Sequence, residues 1–420
     1  MPLLPWTEWL AAPMARLDPD MDALIAAQRA QNAATVNLVA SETYSPRAAL
    51  EAEASAMVDK NASGYPPRRG FGGGGVMDDI ERLACARACA LFGAEHANIQ
   101  ALSSTIANIA VLRGLLRPGD RILAFDPLAG GHVSHGAGKH ISGQAHEVRF
   151  FGVEARDAVD YAAAARIAAE FRPRMIIAGS TSYPLPLDFR RLAAIAADVG
   201  ALFFADVAHV AGLIAAGLHD NPVPYADVVT TSTHKTLCGP RTGGLILCKT
   251  GHAAAIDQAL APGLQAAPGG HIIAARAVLF RLVAQPEFRL LMGAVMQGAA
   301  ALAEGLRASG VALYAGGTGT HMVVVDLRGS AWRDADLTGR LFRHGMITNT
   351  TSLTGGLALR LGSTPMALRG VDAAGMRAVG LRLGGFLARG PEAPDDPRLA
   401  EAMAALALEH PVPPGLSPPM

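Results

Sequence analysis

The chain has 420 residues, of which 50% are hydrophobic and 17% are charged, so it can bury a large core and is not a mainly disordered protein. Its 36 basic residues balance 36 acidic residues, which excludes the strong positive charge typical of proteins that bind nucleic acid or anionic membranes. We therefore expect a small-molecule ligand, with no nucleic-acid partner and no membrane partner.

Short apolar runs alternate with longer Ala-rich helical runs along most of the chain. This alternation predicts an α/β protein with a mainly parallel sheet that helices cover on both faces. In chain order, the predicted elements are helices at Arg47–Lys60, Asp78–Phe92 and Thr105–Leu116, strands at Arg121–Phe125 and Met175–Ala178, a helix at Arg190–Val199, strands at Ala201–Ala205, Asp227–Thr231 and Gly244–Cys248, a helix at Gly270–Val283, and a strand at Met322–Leu327.

The chain is predicted to divide into three parts. A weak boundary falls at Gln285-Pro286-Glu287, and a long helical stretch and further strands near Met322–Leu327 and Leu357–Leu361 follow it. We therefore expect an N-terminal arm and helix at 1–40, a large domain at 41–285 and a smaller C-terminal α+β domain at 286–420. The proline-rich tail from Glu409 to Met420 is expected on the surface.

Targeting signals and cysteine usage favour a cytoplasmic protein. The N-terminal segment has no basic stretch before its apolar residues, which disfavours a signal peptide, and the longest apolar tract, Ala193–Leu218, is interrupted by Asp198 and Asp206. The four cysteines do not form a disulfide framework. Cys85 and Cys89 have a spacing that could bind a metal, but no nearby ligand completes a site, so we predict core packing and no metal.

The strongest chemical signal lies at the ends of two predicted strands. The run ALFFA ends in Asp206, and the run DVVTT leads into Ser232-Thr233-His234-Lys235. Parallel strands bring these ends to one edge of the sheet, where ligands bind. Pyridoxal phosphate (PLP) requires a carboxylate at its pyridinium nitrogen and a lysine that forms a Schiff base with its aldehyde. The pair therefore indicates a PLP site.

Each of these residues also has an ordinary structural interpretation. An Asp at a strand end commonly caps a turn or a helix, and a single lysine is usually solvated. The hydroxyl-rich run Thr230–Thr233 before the lysine and Gly239-Pro240-Arg241 after it argue against that interpretation for the group as a whole.

Six segments carry a resemblance to a known family. In chain order they are NLVASE (37–42), SGYPPRRGFGGG (63–74), FGAEHANIQ (92–100), GGHVSHG (130–136), DVAHVAGLIAAG (206–217) and VVTTSTHKTLCGPRTGGLI (228–246). Together they resemble serine hydroxymethyltransferase over nearly the whole chain. The resemblance implies an aspartate-aminotransferase-like fold, with a mainly parallel seven-stranded sheet between helices and a smaller C-terminal domain. It also implies a homodimer with shared active sites, bound PLP, and transfer of a one-carbon unit between serine and tetrahydrofolate.

The resemblance also implies roles for individual residues. Lys235 would hold PLP, Asp206 would bind the ring nitrogen, His132 would stack on the ring and His209 would lie near its phenolic oxygen; Lys235, Asp206, His132 and His234 form the catalytic set. The cofactor-binding set is Ser103, Ser104, Thr105, His132, Thr181, Asp206, His209, His234 and Lys235, and the substrate-binding set is Ser41, Ser63 and Arg360. Taken alone, Ser103–Thr105 would be ordinary N-capping residues, and His209 and His234 would more often be buried core histidines.

Several positions depart from the family's pattern, and they fall where the family uses folate. Ser63 replaces a glutamate that handles protons, and a serine hydroxyl cannot act as an acid or base near neutral pH. The other departures are Asn61 for a tyrosine, Gly70-Phe71 for two aromatic residues, Pro127 and Val133 for two leucines, and Gly263–Ala267 for a Gly-Gly-Gln-Gly-Gly loop.

Three functional interpretations follow. The leading one is a PLP enzyme that acts on the Cα–Cβ bond of serine or another β-hydroxy amino acid. Full hydroxymethyl transfer and a folate-independent threonine-type aldolase or transaldolase of specialised metabolism stand about level, so tetrahydrofolate stays an open second ligand. A non-catalytic PLP-binding paralogue is a further alternative, and the retained Lys235, Asp206, His132 and Arg360 argue against it. Transamination or decarboxylation on the same fold stays open as well.

Overall fold

The computed structural model describes residues 5–241 and 243–416. The helices are α1 Trp6–Leu10, α2 Met14–Leu17, α3 Pro19–Ala34, α4 Arg47–Glu53, α5 Gly75–Phe92, α6 Ser104–Leu115, α7 Ile141–Ala145, α8 Tyr161–Phe171, α9 Phe189–Asp198, α10 Ala211–Ala215, α11 Thr250–Leu260, α12 Gly270–Val283, α13 Pro286–Ala308, α14 Asp334–Arg343, α15 Thr364–Leu368, α16 Ala373–Ala388 and α17 Pro397–Glu409. The strands are β1 Val36–Asn37, β2 Gly64–Tyr65, β3 Arg68–Arg69, β4 His96–Asn98, β5 Arg121–Phe125, β6 Glu147–Phe151, β7 Met175–Gly179, β8 Leu202–Asp206, β9 Val228–Ser232, β10 Gly244–Cys248, β11 Met322–Asp326, β12 Met346–Ile347, β13 Asn349–Leu353 and β14 Gly356–Gly362.

Seven strands form the central sheet in the order β4-β10-β9-β8-β7-β5-β6. Strand β10 is antiparallel to both of its neighbours, and the other pairings are parallel. Side chains alternate between the two faces: Ile176 and Ala178 pack in one hydrophobic cluster, and Met175 and Ile177 pack in another on the opposite face. The predicted α/β class with a mainly parallel sheet between helices is confirmed.

The C-terminal part has a smaller antiparallel sheet in the order β11-β14-β13. A separate cluster of buried side chains, including Leu302, Val323, Leu361 and Leu383, joins this sheet to α13 and α16. The short strand β1 pairs in parallel with β12, and this pairing brings the end of the N-terminal segment into the C-terminal part.

Most predicted element positions agree with the structure to within a few residues, and β5, β10 and α12 agree at both ends. The helix predicted at Arg47–Lys60 is wrong in its second half: α4 ends at Glu53, and a 3-10 turn occupies Ala56–Asp59. The side chain of Ser55 accepts a hydrogen bond from the Met57 amide and caps this separate turn. Cys85 and Cys89 pack against the main hydrophobic cluster, as predicted.

The first three helices, α1 to α3, bury none of their side chains. Trp6, Trp9 and Leu24 are each more than half exposed. Within residues 5–241 and 243–416, no helix combines the length and the apolar character needed to span a membrane.

Candidate active site

The candidate site lies at the ends of β7, β8 and β9. Asp206 is the last residue of β8 and pairs in register with Thr230 of β9, and the turn after β9 carries Lys235. Gly179 ends β7 directly beside Asp206, where a Cβ atom would lie 2.6 Å from the Asp206 carbonyl oxygen. Only glycine fits this position, so the close approach of β7 fixes the base of the site.

The Asp206 carboxylate is held by several donors. Its Oδ2 accepts hydrogen bonds from Nδ2 of Asn108 at 2.7 Å and Nε2 of His135 at 3.0 Å, and Oδ1 accepts from the Ala208 amide at 3.0 Å. Burial by itself raises the pKa of this carboxyl, but His135 and Asn108 outweigh burial and hold the pKa well below its usual range. Asp206 is therefore a fixed negative charge, able to pair with a protonated ring nitrogen.

Lys235 lies in an environment that favours its neutral amine. Burial lowers its pKa to about 8, with Arg360 and Arg241 acting in the same direction and Asp206 opposing them. A lysine with this pKa has a far larger neutral fraction near neutral pH than an exposed lysine. It is therefore suited to attack an aldehyde.

His132 lies on the Asp206 side of the site. Its Nδ1 accepts a hydrogen bond from the Ser134 amide at 3.2 Å, and its ring centroid is 5.6 Å from that of His135. Burial lowers the pKa of His132 to about 4. The imidazole is therefore neutral and can stack on an aromatic ring without a charge cost.

The three hydroxylated residues predicted to bind phosphate lie at the start of α6. Ser103 is its N-cap and accepts from the Ile106 amide at 3.1 Å, and Ser104 and Thr105 form its first turn. The capping interpretation is thus confirmed for Ser103, and it leaves the hydroxyl hydrogen available as a donor. The free amides and dipole of this 12-residue helix suit a phosphate dianion.

Arg360 lies on β14 and reaches the site from the C-terminal sheet. Its Nη1 donates to the Thr181 carbonyl oxygen at 2.8 Å and its Nε donates to Oδ1 of Asn349 at 3.4 Å. Burial lowers its pKa to about 10, which still leaves it charged at neutral pH. Within the described ranges no carboxylate forms an ion pair with it, so the guanidinium can bind a substrate carboxylate.

Thr181 therefore contacts the site through its carbonyl group, on the Arg360 side. Ser41 is half-buried, and its carbonyl oxygen lies 3.5 Å from Nη1 of Arg241. His234 is half-buried next to Lys235, and burial lowers its pKa to about 4. Its Nδ1 is buried and finds no hydrogen-bond partner among the residues that the structure describes.

His209 packs against a residue that the sequence did not suggest. Its Nδ1 lies 3.4 Å from Nε2 of His321, and the two rings are nearly parallel, at 24°. Burial, followed by the charges of Lys235 and Arg360, lowers the pKa of His209 well below its usual value. The imidazole of His209 is therefore neutral near neutral pH.

Ser63 does not join this group within one chain. Its amide donates to Oδ1 of Asn61 at 2.8 Å, and no hydrogen bond in the described ranges connects Ser63 with Lys235, Asp206 or Arg360. The segment around it is a small hairpin, β2 to β3, and Phe71 just beyond it is 53% exposed.

One set of three potential metal ligands converges in the described part of the chain: atoms of His132, His135 and Asp206 lie within 4.8 Å of one another. Asp206 already accepts from His135, and Nδ1 of His132 accepts from the Ser134 amide. These contacts make the set a hydrogen-bonded support for Asp206.

Sequence reasoning missed Asn108, Asn349 and His321. Asn108 is fully buried within α6. Because a buried side-chain amide almost always has a hydrogen-bond partner, an Asn within an apolar helical run was the signal available in the sequence. Asn349 and His321 lie far along the chain from Lys235, and no local pattern indicates which buried polar side chain reaches across.

Comparison with known proteins gives a consistent result. The family model described as serine hydroxymethyltransferase matches residues 14–382. A serine hydroxymethyltransferase from Leptothrix cholodnii is 43% identical over 364 residues, which cover 85% of this chain and 88% of the relative.

Proposed function

The chain belongs to the serine hydroxymethyltransferase family of PLP-dependent transferases, and on that premise we propose that it acts on the Cα–Cβ bond of serine or another β-hydroxy amino acid. The observation that carries the proposal is one set of three side chains: a charged Asp206 carboxylate, a Lys235 amine with a lowered pKa, and an Arg360 guanidinium that has no carboxylate partner among the described residues.

The residues present fit PLP. Asp206 is charged and held by donors, Lys235 has a lowered pKa, and the start of α6 offers amides and hydroxyls to a phosphate. Two buried polar atoms directly before the lysine, Oγ1 of Thr233 and Nδ1 of His234, have no hydrogen-bond partner among residues 5–241 and 243–416. When bound, PLP supplies an electron sink for the bonds at the substrate Cα.

The chain's own residues would divide the remaining work. Arg360 would bind the substrate carboxylate through its guanidinium, and this contact selects α-amino acids. Asp206 would keep a proton on the ring nitrogen because its own pKa is too low to remove it. His132, neutral because of burial, would cover one face of the ring.

We propose that folate-dependent transfer is weak and that folate-independent aldol cleavage or transaldolation is the main activity. The supporting observation is the segment before β2, where the main-chain amide of Ser63 donates to Oδ1 of Asn61 and where Ser63 and Asn61 stand at positions without a carboxylate. Neither side chain titrates near neutral pH, so neither can serve as the general acid or base for the substrate hydroxyl.

Two assays on one preparation test this. The first compares serine plus tetrahydrofolate with threonine or phenylserine without folate. The second records the absorbance of the bound cofactor with glycine, with and without tetrahydrofolate. Serine-to-folate transfer at a rate above the folate-free cleavage would contradict the second proposal while leaving the first intact. Absence of any bound cofactor would contradict the first.

We also propose that the protein is a homodimer with shared active sites. The exposed apolar side chains of α1 to α3 and the exposed Phe71 and Val133 are surfaces that a second copy would cover. Within the described ranges Ser63 has no hydrogen bond to Lys235, Asp206 or Arg360, which fits a contribution to the partner's site. A cytoplasmic location is part of the same proposal.

A further inference from the structure

His321 is a buried polar residue that has no role in the reaction proposed above. It is fully buried and immediately precedes β11 in the C-terminal sheet. Its carbonyl oxygen accepts hydrogen bonds from the Ser363 amide at 3.1 Å and the Ser363 hydroxyl at 3.2 Å. The main chain that carries the imidazole is therefore fixed, and the ring projects from the C-terminal part toward the Lys235 group.

One nitrogen of this ring makes two contacts. Nε2 lies 3.2 Å from the Ala40 carbonyl oxygen and 3.4 Å from Nδ1 of His209. A carbonyl oxygen only accepts, so the contact with Ala40 requires the hydrogen to be on Nε2 of His321. The opposite tautomer would put the hydrogen on Nδ1, which is buried and has no hydrogen-bond partner in the described part of the chain, and would remove the donor from Ala40.

The proton on His321 determines the proton on His209. Because Nδ1 of His209 faces an N–H group, it must present its lone pair, and its own hydrogen must be on Nε2. Neither ring is doubly protonated near neutral pH, because burial lowers the pKa of His321 to about 3 and that of His209 well below its usual value. One tautomer of the pair therefore satisfies both contacts.

We propose that His321 is a positioning residue that locks His209 in its Nε2–H tautomer and, through the same hydrogen, anchors the main chain at Ala40, directly before Ser41. The inference rests on the proposed function to the extent that His209 faces the cofactor site. There, His209 is a hydrogen-bond donor: it would donate to an oxygen substituent of the bound ring and could not accept from it.

Two matched variants distinguish the hydrogen-bonding role of His321 from the space that its side chain fills. His321→Gln keeps an amide that can donate to both Ala40 and His209, whereas His321→Leu fills similar space without a donor. The measurement is NMR of the imidazole nitrogens in the full-length holoenzyme, with its histidines labelled with ¹⁵N. The His209 signals are assigned by their loss in a His209→Asn variant. Nδ1 of His209 is expected to be unprotonated in the parent and in His321→Gln. In His321→Leu the His209 imidazole is expected to populate both tautomers, so that Nδ1 is partly protonated.

A second readout is the absorbance maximum of the bound cofactor, which is expected to shift in His321→Leu and to return to the parent position in His321→Gln. A proton on Nδ1 of His209 in the parent protein overturns the inference without any variant. Unchanged tautomer and absorbance in a folded His321→Leu protein would overturn it as well. The same NMR measurement on the cofactor-free chain reports the tautomer even if the proposed reaction is wrong, so the two failures are distinguishable.

Discussion

The pKa of Lys235 gives a direct test of the site at the level of one residue. Capture of PLP requires the neutral amine, so its rate in cofactor-free protein is expected to rise with pH around a midpoint of about 8. Asp206 raises the pKa of Lys235, so Asp206→Asn is expected to move the midpoint to lower pH. The measurement is stopped-flow absorbance against pH, followed by borohydride reduction and peptide mapping to locate the label.

The control for this experiment is Lys249, which forms an ion pair with Asp227 away from the site. Lys249→Ala is expected to leave the midpoint unchanged. A midpoint near that of free lysine, or label on another lysine, would show that Lys235 is not the attachment point.

Ser63 permits a gain-of-function prediction. If the missing carboxylate limits folate-dependent transfer, Ser63→Glu is expected to raise the serine-to-tetrahydrofolate rate, toward the roughly 10²–10⁴-fold that general acid–base catalysis contributes. Ser63→Gln, which has a similar size and no titratable group, is the matched control and is expected to give no gain. Equal rates in the two variants would show that the carboxylate is not what the site lacks.

Among the structural elements, the β2–β3 hairpin depends on one buried arginine. Arg69 donates through Nε to Asp78 at 2.6 Å and through Nη1 to the Ala62 carbonyl at 2.5 Å, and it also pairs with Glu81. Its side chain and that of Glu81 are almost completely buried. Charge-assisted hydrogen bonds therefore fix the hairpin that follows Ser63 to α5.

Removal of that arginine is expected to be costly. Arg69→Met leaves Glu81 and Asp78 without their buried partner, and we expect a loss of about 3–5 kcal/mol in the free energy of unfolding. Arg47 pairs with Glu51 at 2.7 Å on the surface of α4, so Arg47→Met is the control, with an expected loss of at most about 1 kcal/mol. Urea denaturation monitored by circular dichroism measures both, and equal losses would contradict the assignment.

The sequence predicts elements well where burial is uniform and poorly where it is not. β5 and β10 are apolar runs between turn residues, so their bounds are correct. β6 was missed because it is an edge strand with Glu147 and Arg149 among its five residues. In the site, Asp206 and Lys235 stand out because each follows an apolar strand. The roles of Asn108 and His321 could not be predicted, because they depend on contacts with residues that are distant along the chain.

For the whole molecule, we propose a division near residue 285, supported by the separate hydrophobic cluster around the C-terminal sheet. Val36 and Leu38 belong to that cluster, so the end of the N-terminal arm would pack with the smaller domain. The reaction would then take place between the PLP-binding part, with Lys235, and the part that carries Arg360.

Shared sites in a dimer predict complementation between inactive chains. Coexpression of a Lys235→Ala chain with a chain inactivated by Phe71→Asp, an exposed position in the segment proposed to serve the partner's site, is expected to recover about one quarter of the parent activity, because half of the dimers are mixed and each has one intact site. Lys235→Ala with Arg360→Ala is the control and is expected to recover none, since both residues serve the same chain's site. Full activity in a monomer at nanomolar concentration would refute the dimer.

The pairing of β1 with β12 has a consequence for biosynthesis. Ala40 contacts two residues that are distant along the chain, His321 and Gly362. A Cβ atom at Gly362 would lie 2.4 Å from the Cα atom of Ala40. At ribosomal rates, the stretch from Ser41 to Gly362 takes on the order of tens of seconds to make. Until residues 346 and 347 are made, Val36 and Asn37 have no strand to pair with, and until Arg360 is made the substrate end of the site cannot exist. A polypeptide released before residue 360 would carry the lysine and the carboxylate of the cofactor site without the arginine that would hold an amino acid.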